Sequence, residues 1–413
     1  MRSDAWKPLR LREVLGDVFA GAWGDSPSDT RVANIRVLRA TNIDSEGRVS
    51  YSNAAFRILG AREIERKRLI AGDLLLEASG GGPGTPVGRV ALHDGGCDGQ
   101  NYACSNFFRV LRPNQKLVDA GYLRHVLVSL YRSPAIWRYQ QQTTGLVNLK
   151  LNDYLEHPLL VPPLGEQRRI VDVVRGYADA ERGIEALIAK LRSVRQGALL
   201  ASLEAVARTE PPPGWVRLPL KDVVPAAEYG ISEALDRDAG GVPVLRMNNI
   251  QGGRVQVGEL RYCPVAVPER LYLRQGDVLF NRTNSIDHIG KAALWRDELP
   301  GATFASYLVR LNPDVRRVLP EYLVEWLMHP VIRQRVRAIS TVAVQQVNVN
   351  PSRLRNMEID LPESLDEQRE IIATLEACDA QIARESQELD KLRKLKQGLV
   401  DDLLSGRVKV MGP

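Results

Sequence analysis

Two pairs of polar stretches in this chain carry residue types suited to touching a nucleic acid. Each member of the first pair follows a Gly-Asp dipeptide and a short apolar run: "EASGGGPGTPVGR" at 77–89 and "NRTNSIDHIGK" at 281–291. Both end in a glycine and a cation, Gly88-Arg89 and Gly290-Lys291. A polar loop anchored by a strand and closed by a positive charge suits contact with a phosphate or a base edge. Its candidates are Ser79, Gly80, Gly82, Thr85 and Arg89 in the first loop, and Arg282, Thr283, Asn284, Ser285 and Lys291 in the second. The second pair is "YQQQTTGLVNL" at 139–149 and "STVAVQQVNVN" at 340–350. Gln and Asn present a donor beside an acceptor, the geometry that distinguishes adenine in the major groove. The candidates here are Gln141, Gln142, Thr143 and Thr144, and Gln345, Gln346 and Asn348. A third pair, "VLRATNI" at 37–43 and "VLRMNNI" at 244–250, sets Arg39, Thr41 and Asn42 beside Arg246, Asn248 and Asn249. These either contact a nucleic acid or bridge strands.

The motifs of catalysis are missing. A base-modifying methyltransferase needs a glycine-rich cofactor loop and an Asn/Asp-Pro-Pro-aromatic string. "VPPLG" at 161–165 lacks the amide or acid before its prolines and the aromatic after them. "GGGPGTPVG" at 80–88 lacks the Gly-Lys-Ser/Thr of a phosphate-binding loop. His93, Cys97 and Cys104 fit no common zinc spacing and lack a fourth ligand, so no metal is expected. The chain is therefore expected to be no enzyme by itself.

The elements that position these stretches are repeated. Glu166-Gln167-Arg168 recurs as Glu367-Gln368-Arg369, and "KLRSVRQG" at 190–197 recurs as "KLRKLKQG" at 391–398. Upstream, "AGDLLLEASG" at 71–80 matches "QGDVLFNRTN" at 275–284, and "FFRVLRP" at 107–113 parallels "YLVRLNP" at 307–313. The openings agree as well, Trp6 with "PLRLREV" and Trp215 with "RLPLKDV". Matches in the same order along two halves mark an internal duplication. "EPPPGW" at 210–215 reads as a stiff junction between the copies.

Each copy begins with short β-like runs punctuated by Gly, Asn and Pro, among them "VLRA", "DLLLEA", "FFRVL", "GDVLF" and "SYLVRL". Helical stretches are expected near 118–131 and 320–338. Each copy ends in a long amphipathic helix. In the second, Ile371, Leu375, Cys378, Ile382, Leu389, Leu392, Leu399 and Leu403 form a heptad seam, with Glu385 and Lys396 at two missed positions. In the first, the stripe reads Ile170, Val174, Tyr177, Ile184, Leu187, Leu191, Val194 and Ala198, interrupted by Glu181. Each helix has about 38 residues, roughly 57 Å at 1.5 Å per residue. A helix of that length must bury its stripe, and the nearest matching surface is the other copy's stripe. Periodicity alone leaves their relative direction open.

The bulk numbers agree with a multidomain globular chain. It has 413 residues, 44% hydrophobic and 26% charged, with a net charge of +6. The excess leans weakly toward an acidic partner. Four cysteines without a Cys-x-x-Cys fit a reducing cytoplasm. The N-terminus has no apolar h-region and no apolar run approaches the roughly 18 residues of a membrane span, so no membrane role is expected.

The paired "PLGEQRRI … KLRSVRQG" and "SLDEQREI … KLRKLKQG" stretches, with the terminal "LLSGRVKV", resemble the specificity (S) subunit of type I restriction–modification systems. The resemblance implies an α+β chain in which two pseudo-repeated α/β target recognition domains, 1–162 and 210–361, are separated by two long helices in an antiparallel coiled coil. The helical regions would be 163–209 and 362–413, the latter including a C-terminal tail. Each domain would read one half of a bipartite, asymmetric double-stranded DNA site. The helices would set the half-site spacing, and Glu166, Gln167, Arg168, Glu367, Gln368 and Arg369 would help to dock two methyltransferase (M) subunits. The M subunits would bring S-adenosylmethionine, and the restriction (R) subunits ATP and Mg; no cofactor is expected on this chain. A stand-alone DNA-modifying enzyme, or a coiled-coil scaffold without a DNA role, are the alternatives from other classes.

Overall fold

The computed structural model describes residues 6–82, 84–97, 99–143, 146–237, 240–343 and 346–410. The chain is α+β and divides into two packing units, Met1–Ile184 with Glu388–Pro413, and Glu185–Gln387.

In the first unit a four-stranded sheet runs in the order Leu15–Ala20, Phe108–Pro113, Leu74–Glu77, Val90–Leu92. A three-stranded sheet of Ala55–Arg57, Ile35–Leu38 and Tyr102–Cys104 includes one parallel pair. Lys7–Arg10 pairs antiparallel with Pro158–Val161, which closes the domain on itself. The second unit repeats this plan. Its larger sheet runs Ala226–Tyr229, Leu308–Asn312, Val278–Asn281, Ala292–Leu294, Gly253–Val255, Ile250–Gln251. Arg261–Cys263, Val242–Leu245 and Thr303–Phe304 form the smaller sheet, and Trp215–Pro219 pairs with Glu358–Pro362. The strands "DLLLEA" and "GDVLF" are buried on both faces, so they read as continuous apolar runs rather than alternations. The Gly-Asp ahead of each is a turn device. Asp73 accepts from the Ile70 amide and Asp277 from the Arg274 amide, both at 2.9 Å. Each aspartate also pairs with a strand arginine, Arg112 or Arg310.

Helix Ala120–Arg132 stands where expected. The stretch near 320–338 is instead two helices, Pro320–Met328 and Pro330–Ala338. Pro330 has no N–H to continue the first helix, and His329 becomes the N-cap of the second, its imidazole accepting from the Val331 amide at 3.3 Å. The proline-rich junction is tied down rather than free-standing. The Arg217 guanidinium donates to the carbonyls of Ala205, Arg208 and Thr209 and pairs with buried Asp360.

The long helices span Leu164–Ser202 and Leu365–Leu404. Their first turns answer why Glu-Gln-Arg is repeated. Gln167 is fully buried. Its Oε1 accepts from the Asp119 amide at 2.7 Å, and its Nε2 donates to Leu117 O at 3.1 Å and Pro162 O at 2.7 Å. Gln368 does the same with the Leu319 amide, Arg317 O and Pro362 O. The neighbouring glutamates take the indole N–H of the domain's opening tryptophan, Trp6 to Glu166 at 3.2 Å and Trp215 to Glu367 at 2.8 Å. One helical turn thus gathers the opening strand, the loop before the domain helix and the closing strand.

Within each unit the two long helices run antiparallel. In the first, Glu181 faces Lys396 at 2.8 Å, while Ile170 and Val174 share a core with Leu403. In the second, Arg195 pairs with Asp379 at 3.1 Å, while Leu199 shares a core with Ile371, Ile372 and Leu375. The second helix buries the stripe its heptads predict. The first departs after Ile184: Leu187 and Val194 are 38% and 51% exposed, and Ile188, Arg195 and Leu199 point inward instead. Two of the interruptions, Glu181 and Lys396, are partners across the seam. Lys396 and Arg195 occupy equivalent places in the "KLR" strings, and each bridges the other long helix and its own unit's globular part, to Glu46 at 3.8 Å and Glu325 at 2.5 Å.

Gln167→Ala would leave a backbone N–H and two carbonyls unsatisfied in a dry site, at about 1–3 kcal/mol for each such group. We expect a loss of at least about 3 kcal/mol in denaturant unfolding, and the same for Gln368→Ala. A change under about 0.5 kcal/mol, the scale of an ordinary surface substitution, would show that the side chain is not a staple.

Candidate nucleic-acid interface

The structure brings together polar stretches that lie far apart in sequence. "YQQQTTGLVNL" forms a hairpin, Gln140–Thr143 against Leu146–Leu149, and its second strand pairs with Ser79–Gly81. In the second domain Thr341–Ala343 pairs with Gln346–Asn348, which pairs in turn with Thr283–Asn284. Each domain therefore joins its Gly-Asp loop and its Gln/Asn hairpin in one three-stranded sheet. The repeated Gly-cation pair closes the loop. Gly88 and Gly290 have φ of +117° and +74°, and a Cβ there would come within 2.9 Å of Ile136 or 2.6 Å of Val336.

Several candidates stand at this surface. Gly80, Gly82, Thr85, Gln141 and Gln142 are exposed in the first domain, as are Ser285 and Gln346 in the second. Ser79 donates to Asn148 Oδ1 at 2.6 Å across the sheet. Arg282 donates from Nη2 to Asn348 Oδ1 at 2.8 Å and from Nη1 to Ser306 O at 3.3 Å. Its guanidinium lies 5.0 Å from the centre of the half-exposed Tyr229 ring. Asn284 is half-buried, while Thr283 is buried with no hydroxyl partner among the described residues. Lys291 is half-buried; burial, then the nearby Arg333, lowers its pKa from the usual lysine value. Thr144 and Gln345 lie outside the described residues, and of Thr143 only the backbone is described.

Other candidates prove structural. Asn42 and Asn249 are each 2% exposed. Asn42 accepts from the Arg39 amide and donates to Ser50 O; Asn249 accepts from the Arg246 amide and donates to Gln256 O. Both amides are committed to holding a loop, so neither faces a ligand. Arg39 and Arg246 each use Nη2 to hold a loop carbonyl, of Asn53 and Glu259, while Thr41 and Asn248 beside them are exposed. Arg89 is not a free cation. It pairs through two 2.8 Å bonds with Glu77 and reaches the carbonyls of Ile43 and Ala40. The hydrogen bond to Glu77 is the main cause of its raised pKa. In the same way Gln167 and Gln368, expected to dock a partner, are buried staples, and Glu166 and Glu367 are engaged by tryptophan. Arg168 and Arg369 remain exposed, the latter beside Asp366.

The structure also adds residues that polarity did not flag. Phe107 and Tyr307 are about half exposed, and their carbonyls accept from the amides of Ala78 and Arg282 at the base of each loop. Gln140, adjacent to the exposed pair, grips both the N–H and the C=O of Val87 and so fixes the loop's return.

Residues 212–394 match the family described as "Type I restriction modification DNA specificity domain". Over that stretch, which is less than half of its length, the chain is similar to a type I restriction–modification DNA specificity domain. It is 28% identical over 199 residues to the putative type I restriction enzyme MjaX specificity subunit of Methanocaldococcus jannaschii, an alignment covering 48% of this chain and 47% of that protein. It is 24% identical over 359 residues to the EcoKI specificity subunit of Escherichia coli K12, covering 82% of this chain and 74% of that one. A solved chain from work on complex assembly and conformational transition of the type I R-M system shares the fold, with a TM-score of 0.61 and 20% identity over 98% of each chain. Among the described residues, no His/Cys/Asp/Glu cluster could hold a metal ion, and no helix is long and apolar enough to cross a membrane.

Arg89→Ala should behave as a stability mutant. It strands the buried Glu77 carboxylate, and the loss should be on the order of 3 kcal/mol in denaturant unfolding. A stable variant with weakened DNA binding would instead make Arg89 a contact residue.

Proposed function

We propose that this chain is the non-catalytic DNA-reading subunit of a type I restriction–modification complex. Each domain reads one half of a bipartite, asymmetric site. The observation that carries the reading is one frame with two different linings: the anchoring bonds of Asn42 and Asn249, of Gln167 and Gln368, and of Trp6 and Trp215 are the same, while the surfaces they present differ. A duplicated fold with the same surface twice would read a repeated sequence; two surfaces suit an asymmetric one. Loops on a rigid sheet are also where recognition residues belong.

The paired helices set the distance between half-sites and, with the exposed Arg168 and Arg369 near their starts, offer a platform to two M subunits. S-adenosylmethionine is held by those M subunits, and ATP and Mg serve the R subunits. The partners act in the cytoplasm, where the DNA is.

The test is to co-express the chain with type I M subunits and sequence host DNA methylation. A split motif with a fixed gap is expected; a continuous motif, or none, defeats the reading. Substituting Gln345, Gln346 and Asn348 together should alter one half of that motif and spare the other. Inserting one heptad into both long helices should lengthen the gap, since seven residues add about 10 Å of helix and a base pair occupies about 3.4 Å. An unchanged gap would rule out the helices as the spacer.

A further inference from the structure

Equivalent places in the two domains can be matched by their backbone bonds. The Ala78 amide donates to Phe107 O at 2.8 Å and its carbonyl accepts from the Leu149 amide at 2.9 Å. The Arg282 amide donates to Tyr307 O at 3.0 Å and its carbonyl accepts from the Val349 amide at 2.8 Å. Ala78 and Arg282 thus occupy the same site. Beside them, Ala20 pairs with Arg109 on the neighbouring strand as Tyr229 pairs with Val309. Two alanines in the first domain are replaced by an arginine and a tyrosine in the second.

Resting on the reading that each domain recognises DNA, we propose that Arg282, shelved on Tyr229 and braced by Asn348, reads a guanine in the half-site of the second domain. The chemistry points to that base. Among the described residues no carboxylate is found paired with Arg282, and its Nε is buried without a partner, so the N–H groups that can face a base are those left on Nη1 and Nη2. Ser306 O and Asn348 Oδ1 each take one N–H of the fork, which fixes its plane and leaves further N–H groups. Asn348 turns its Oδ1 toward Arg282, which leaves its Nδ2 as a further donor at the surface. A surface made of donors fits a base edge made of acceptors, and in the major groove that is guanine, with N7 and O6 side by side. Adenine would set its own N6 donor against the guanidinium. The half-exposed Tyr229 ring keeps the fork flat at the surface through cation–π contact, a geometry that lysine does not reproduce.

The experiment uses the full chain with its M subunits and reads host methylation. In the wild type, one half of the split motif should contain a fixed guanine. Arg282→Lys and Arg282→Ala should relax that one position, lowering the preference for guanine by about ten- to hundredfold, and leave the other half as it was. Tyr229→Ala, at an exposed position, should relax the same guanine and supplies an independent reading if the Arg282 variants fail to fold, which thermal unfolding will show. An unchanged motif overturns the proposal. So does uniformly weaker or abolished methylation by a folded variant, which would mark a phosphate contact, and so does a change in both halves. If the wild type gives no split motif at all, the DNA-reading function fails; a split motif insensitive to these variants defeats only the role of Arg282.

Discussion

A single buried glutamine at the start of each long helix is the constraint on which the architecture depends. Gln167 and Gln368 each satisfy three backbone groups drawn from two segments of the preceding domain. In a dry site those groups have no water to fall back on, so the side chain is held in one place and the helix axis with it. The adjoining glutamate and tryptophan secure the opening strand to the same turn. What looks in sequence like a charged surface motif is the joint between a sheet domain and a helix about 40 residues long.

The helix seam is specified by charge as much as by apolar packing. Lys396 and Arg195 enter the seam at equivalent points of the two helices, and each is neutralised by one acid on the facing helix and one on its own unit's globular part. A paired charge in a half-buried seam adds little net stability over an apolar residue, yet it penalises any register that leaves the charge alone. The ion pairs therefore act on alignment, and the flanking apolar residues supply most of the adhesion.

The repeat also separates polar residues by role. Those identical or nearly so in both copies, such as the paired asparagines, glutamines and Gly-Asp turns, hold backbone. Those that differ, such as Ala78 against Arg282 or Glu77 against Asn281, line the sheet edge or the space behind it. The Glu77–Arg89 pair shows the consequence. Opposite Lys291 the second domain has Asn281, fully buried and without a side-chain partner among the described residues, so two loops at equivalent places in the frame carry different charge. Polarity alone could not make this distinction, because an asparagine that caps a turn and one that meets a base are the same letters. Asn42, Asn249, Arg89 and Gln167 were all legible as polar and repeated, and all proved to face inward.

By itself the sequence determined the duplication, the positions of the main strands, the extent of both long helices and the stripe of the second one. These follow from local periodicity and from turn residues, which act within a few positions of themselves. Only the tertiary structure decided the direction of the helix pair, the phase of the first stripe after Ile184, and the meeting of the Gly-Asp loops with the Gln/Asn hairpins. At 187 and 188 the chain offers leucine and isoleucine side by side, so either face can be buried, and the choice of Ile188 is made by what packs against it. The loops and hairpins lie some sixty residues apart, and bringing them into one sheet depends on strand register, which no local pattern encodes.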